Sequence, residues 1–144
     1  MPPRFFQLAI SVPDVAEALL LQYIVGLTMP GSPVMHLYEA DHTPGEDTSI
    51  ANFSQTARAG YSAITLTAAS WTVTTLSGGG GVTTAQYSQQ TFSFTTGADI
   101  YGYYITDILG AAGNLLWCER FTGAPFRLPS GGGTIAISPR VTLD

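Results

Sequence analysis

From about residue 34 onward, short apolar and β-branched runs alternate with clusters of Gly, Pro, Ser and Thr. Residues 61–67 set Ala63, Thr65 and Thr67 against Ser62, Ile64 and Leu66, the period of two expected of a half-buried strand. Residues 71–76 alternate in the same way. Further strands are expected over 34–40, 86–95, 100–107, 115–121 and 134–141. Polar or Gly-rich loops separate them at 41–49, 78–81, 109–114 and 123–133. Seven or eight short strands at intervals of about 8–12 residues describe an all-β chain, a single β-sandwich or jelly-roll-like domain. In 100–107, alternation places Tyr101, Tyr103 and Ile105 on one face. Tyr104 falls on the other, expected to point outward near Tyr61 or Trp71.

The N-terminal part reads differently. Pro2 and Pro3 keep residues 1–13 from starting as a helix, so this is an extended arm carrying Phe5, Phe6, Leu8 and Ile10. Residues 14–25 form the one helix candidate. Pro13 suits a first helical position, Asp14 and Glu17 suit the positive end of the helix dipole, and Gly26 is a stop. Val15, Ala18, Leu19, Gln22 and Tyr23 follow helical spacing, while Leu20, Leu21 and Ile24 lie on other faces. Such a helix, apolar nearly all round, needs cover on several sides, which suggests a neighbouring subunit. A strand over 18–25 is the competing reading. The whole chain, 1–144, is then one domain, with arm and helix in 1–26 and the β-sandwich in 34–144.

Charge changes this picture most. Only 10% of the 144 residues are charged, against about 25% in an ordinary soluble domain. There is no lysine, and Arg4, Arg58, Arg120, Arg127 and Arg140 stand against ten acids for a net charge of −5. Nucleic-acid binding needs clustered cations and is not expected. No apolar run has the length of a membrane span, and Pro13, Asp14 and Glu17 spoil the N-terminus as a leader. Few charges and many aromatics resemble the centre of a protein interface.

Candidate chemistry is thin. His36, Asp41, His42, Glu46 and Asp47 match neither zinc nor calcium-loop spacing, and Asp41, Thr43 and Thr48 read as shapers of a Pro-Gly loop. Cys118 with His36 or His42 is the one nucleophile–base pairing to consider, and core packing of the thiol is the plainer reading. Asp99, Asp107 and Glu119 are the carboxylates to weigh for glycoside hydrolysis. If residues 107 and 119 flank one hairpin, Glu119 and Arg120 sit near its turn. The Gly runs at 78–81 and 131–133 lack the lysine of a phosphate loop. No catalytic residue, cofactor or metal is expected.

Two stretches carry a resemblance. Residues 37–61 read LYEADHTPGEDTSIANFSQTARAGY and contain LY-x-x-(N/D)-x-TP-x-x-DT, followed by Phe53 and then Gly60-Tyr61. Residues 100–143 contain YGY-x-(I/V)-TD at 101–107, LLW-x-ERF at 115–121 and a T-(I/L)-x-(I/V/L)-x-P close ending at Pro139. Together they cover about half the chain and resemble a family of small structural proteins of tailed-bacteriophage virions, of the capsid-decoration or cement kind. The resemblance implies a non-catalytic virion protein on the capsid surface. Its partners would be the major capsid protein and sister copies, as a homotrimer. Phe5, Phe6, Leu8, Ile10, Leu20, Leu21, Ile24 and Tyr104 are the expected contact residues. The alternative is a tail-fibre or receptor-binding β-module that recognises a host glycan or protein.

Overall fold

The computed structural model describes residues 12–27, 31–75, 83–108 and 113–143. The helix forms where expected, as α1 (Asp14–Ile24). Pro13 is its cap rather than its first residue. Its backbone is extended, and its carbonyl accepts the Ala16 and Glu17 N–H groups. The other end closes in a Schellman motif. Gly26, at φ +72°, donates to the Tyr23 carbonyl, and Leu27 donates to that of Gln22.

Among the described residues eleven strands follow: β1 (Val34–Tyr38), β2 (Ile64–Thr65), β3 (Trp71–Thr75), β4 (Thr83–Tyr87), β5 (Gln90–Phe94), β6 (Ala98–Ile100), β7 (Gly102–Thr106), β8 (Leu115–Arg120), β9 (Phe126–Leu128), β10 (Gly133–Ile137) and β11 (Arg140–Leu143). All pairings are antiparallel. They make a four-stranded sheet in the order β2-β1-β7-β8, a three-stranded sheet β11-β4-β3, and the pairs β10-β5 and β6-β9. The chain is therefore an all-β domain with one short helix. The expected 86–95 strand is two strands that break at Ser88 and Gln89, because β4 joins β3 and β11 whereas β5 joins β10. The expected 61–67 strand pairs only at Ile64 and Thr65. The expected loop at 78–81 and residues 109–112 of the expected 109–114 loop lie outside the described residues.

The main core lies against one face of the four-stranded sheet. Met35, Leu37, Tyr103, Ile105 and Leu116 meet Phe92, Phe94, Ile100, Ile135 and Ile137 there. A second cluster covers the opposite face, with Tyr38, Tyr104, Leu115 and Cys118 beneath Phe53 and partly beneath Ala40, Ile50 and Tyr101. Both faces of the two central strands are thus shut off from water: all five residues of β1 and of β7 are buried.

The second cluster overturns two readings of the 100–107 segment. Tyr104 does not face outward: it is 3% exposed, stacked on Phe53 with ring centroids 4.6 Å apart and on His36 at 4.8 Å. The 39–58 segment folds over the face that simple alternation leaves to solvent. Tyr61 is also elsewhere, stacked on Phe92 and Phe94 in the main core. Tyr101 packs with Tyr104 rather than with Tyr103, because it sits at the joint between β6 and β7, where strict alternation lapses.

Candidate functional site

Alpha helix α1 is fastened to the body by one narrow side. Ala16 is fully buried, Leu19 and Tyr23 pack on the main core, and the Asp14 N–H donates to the Glu46 carbonyl at 3.3 Å. Burial, and then the charge of Asp107, push the Tyr23 phenol above its ordinary pKa. The inward stripe is therefore 16, 19 and 23. Of the five positions assigned to it from sequence, Val15 and Ala18 turn out exposed and Gln22 is half-buried beside Leu19 and Tyr23.

Beyond the exposed acids Asp14 and Glu17 of its first turn, the outward side is apolar. Leu21 is 63% exposed, Ile24 78% and Leu27 75%, with Leu20 and Val25 exposed beside them and Val15 exposed on another face. Leu20, Leu21 and Ile24 occupy adjoining positions on one helical face, and Val25 and Leu27 extend it past the helix end. Three of the expected contact residues, Leu20, Leu21 and Ile24, therefore come together at the surface. Tyr104 does not join them, being buried in the second cluster. Phe5, Phe6, Leu8 and Ile10 lie outside the described residues. Val25 and Leu27 were missed, although they continue the same apolar run in the sequence.

Residues weighed for chemistry serve as internal fastenings. Arg120 forms an ion pair with Asp41 at 2.6 Å, donates to the His42 carbonyl at 3.0 Å and lies 5.0 Å above the Tyr101 ring. It clamps the 39–58 segment to the four-stranded sheet. Glu39 holds Arg58 at 2.9 Å and accepts the Thr56 hydroxyl, and these bonds lower its pKa. Thr48 accepts the Gly45 N–H at 2.8 Å and meets His42 Nε2 at 3.1 Å, so it shapes the Pro-Gly loop as expected. Asp41 instead serves Arg120.

The three carboxylates sit on different elements, Asp99 in β6, Asp107 just after β7 and Glu119 in β8. Asp107 takes both the backbone and side-chain N–H groups of Asn114, and Asp99 faces Arg127 at 3.7 Å. Glu119 accepts the Tyr103 hydroxyl at 2.6 Å. Glu119 and Arg120 do not sit near the hairpin turn. They pair with Tyr103 and Gly102 at the far end of the ladder.

His36 and Cys118 are both buried. Thr106 gives its hydroxyl proton to the Ile108 carbonyl, so it must accept from His36 Nε2 at 2.9 Å. That fixes the tautomer and leaves Nδ1 bare, without a partner among the described residues. A second proton would place an uncompensated charge among aromatic rings, and burial lowers the His36 pKa to about 4. Burial pushes the Cys118 thiol up to about 12, so it is protonated at neutral pH. Among the described residues no three His, Cys, Asp or Glu side chains converge as metal ligands would, and no helix is long and apolar enough to cross a membrane.

The feature with the clearest capacity to act on another molecule is the uncovered α1 face. No family model, no curated protein and no solved structure matches the chain.

Proposed function

We propose that the chain is a non-catalytic structural protein of a tailed-phage virion. It decorates the shell as a homotrimer and stabilises it by packing on the major capsid protein. The observation that carries the packing role is the apolar face of Leu20, Leu21, Ile24, Val25 and Leu27, which the chain's own β domain leaves in water. Each such side chain, once buried, contributes about 1.5–3 kcal/mol. The virion setting rests on the resemblance across 37–61 and 100–143, and the sparse charge of the chain agrees with a surface that is largely covered in use.

A stable protein interface buries about 800 Å² on each partner. Three side chains on one short helix and two just past its end supply part of that. The adjoining arm, with Phe5, Phe6, Leu8 and Ile10, is the apolar sequence nearest to hand to supply more. In this reading arm and helix are the adhesive, and the β domain is the rigid body they hold.

The test is occupancy on purified particles. Deleting residues 2–12, or making the double substitution Leu21→Ser and Ile24→Ser, should leave the β domain folded and abolish particle binding. Undiminished occupancy by both variants would reject the adhesive role of this region.

A further inference from the structure

The sheet β11-β4-β3 has one face built from hydroxyl and amide side chains, with Arg140 at its β11 edge. Register sets Thr74, Thr84 and Thr142 in one row and Thr72, Gln86 and Arg140 in the next. Ser88 donates its N–H to the Ser70 carbonyl at 3.2 Å and continues the face at one end. Ser70, Thr72, Thr74, Thr84, Gln86 and Ser88, with Tyr87, line a groove of about 390 Å³. That volume lies within the range of small-ligand sites.

The lining is unusual for a solvated strand face because it holds no charge of either sign. Arg140 is in register with Gln86 but is not part of the lining. The polar groups are also unspent. The Thr72 and Thr74 hydroxyls and the Gln86 carboxamide make no hydrogen bond to another described residue, and Thr84 has one long contact, 3.5 Å, to Thr142.

These features select the ligand chemistry. A phosphate or carboxylate would find one cation, Arg140 at the β11 edge of the face and outside the lining, and a metal ion would find no carboxylate, imidazole or thiolate there. An apolar ligand would strip water from hydroxyls and give nothing back. A neutral polyhydroxyl ligand both donates and accepts at each position, as Thr, Ser and Gln side chains do. Strand geometry spaces these groups about 4.8 Å across the sheet and about 6.6 Å along it, a repeating grid that suits a chain of sugar units rather than one compact molecule.

We infer that the groove of β3 and β4 binds a neutral oligosaccharide through Thr72, Thr74, Thr84 and Gln86. The site is separate from the α1 face and stands or falls independently of the shell-packing role.

The experiment is a backbone-amide NMR titration of the full chain with cello-, malto- and manno-oligosaccharides, each to about 10 mM, the scale of weak single-site binding. At least one should give saturable shifts confined to 70–74 and 84–88. The combined variant Thr72→Val, Thr74→Val, Thr84→Val keeps strand-favouring side chains and removes only hydroxyls. It should bind at least about tenfold more weakly. Gln86→Leu, a single exposed change, should weaken binding in the same direction if the combined variant fails to fold. Absence of saturable shifts with all three sugars, shifts centred elsewhere, or unchanged affinity in the folded variants would overturn the inference.

Discussion

The four-stranded sheet and helix α1 treat apolar surface in opposite ways. The sheet hides both its faces, one under the main core and one under the 39–58 segment, which Arg120 clamps in place. The helix hides one stripe and leaves Leu21, Ile24 and Leu27 more than half exposed. Sheet residues are therefore committed to the fold of this chain. The outer residues of the helix add little to that fold and remain available to another molecule. The difference teaches that exposed apolar surface need not be spread evenly: among the described residues most of the exposed large apolar side chains fall in 15–27, with Val73, Ile108 and Phe126 scattered elsewhere.

Substitutions in the two regions should separate stability from association. Phe53→Ala should have the largest effect. It removes the ring that covers Tyr38 and Tyr104, and it should cost about 3–5 kcal/mol in a denaturant titration. Gly102→Ala should follow at about 3 kcal/mol. A Cβ there would collide with the Glu119 carbonyl oxygen and lie within 2.8 Å of the Tyr38 ring, and the ladder between β7 and β8 leaves little room to yield. A small loss from either change would break the contrast by showing that the covered sheet tolerates disruption.

His36 sharpens the contrast through pH. Its folded pKa of about 4 lies below the ordinary 6.5, so the unfolded chain binds the extra proton first. Its contribution is complete above about pH 6.5 and is lost as pH falls from there towards about 4, by at most about 3 kcal/mol. His36→Phe, which keeps a ring on Tyr104, should flatten that part of the stability profile. The double substitution Leu21→Ser, Ile24→Ser should have the smallest effect on stability, within about 0.5 kcal/mol by thermal unfolding, since both side chains are solvated.

The parts legible from sequence were those set by local chemistry. Pro13, the acids of the first turn and Gly26 bracket α1 within a residue. Alternation locates β3 and β7, short strand-like runs locate β1 and β8, and Leu20, Leu21 and Ile24 are placed correctly off the inward stripe. What alternation could not supply was which faces receive cover. Tyr104 reads as outward because nothing local announces that Phe53, roughly fifty residues away, lies over it. The inward stripe of α1 was misjudged for a similar reason: the small Ala16 is chosen by close approach to the body, whereas the larger Val15 is left outside. The Ser88–Gln89 break is likewise tertiary, set by β4 and β5 joining different partners.

On a phage shell, the proposed setting, the apolar N-terminal region would hold this chain in place. Gold-labelled antibody against the chain, applied to purified particles and viewed by electron microscopy, tests that setting most directly. Label spread over the shell is the predicted result. Label confined to the tail, or no label on particles at all, would contradict it.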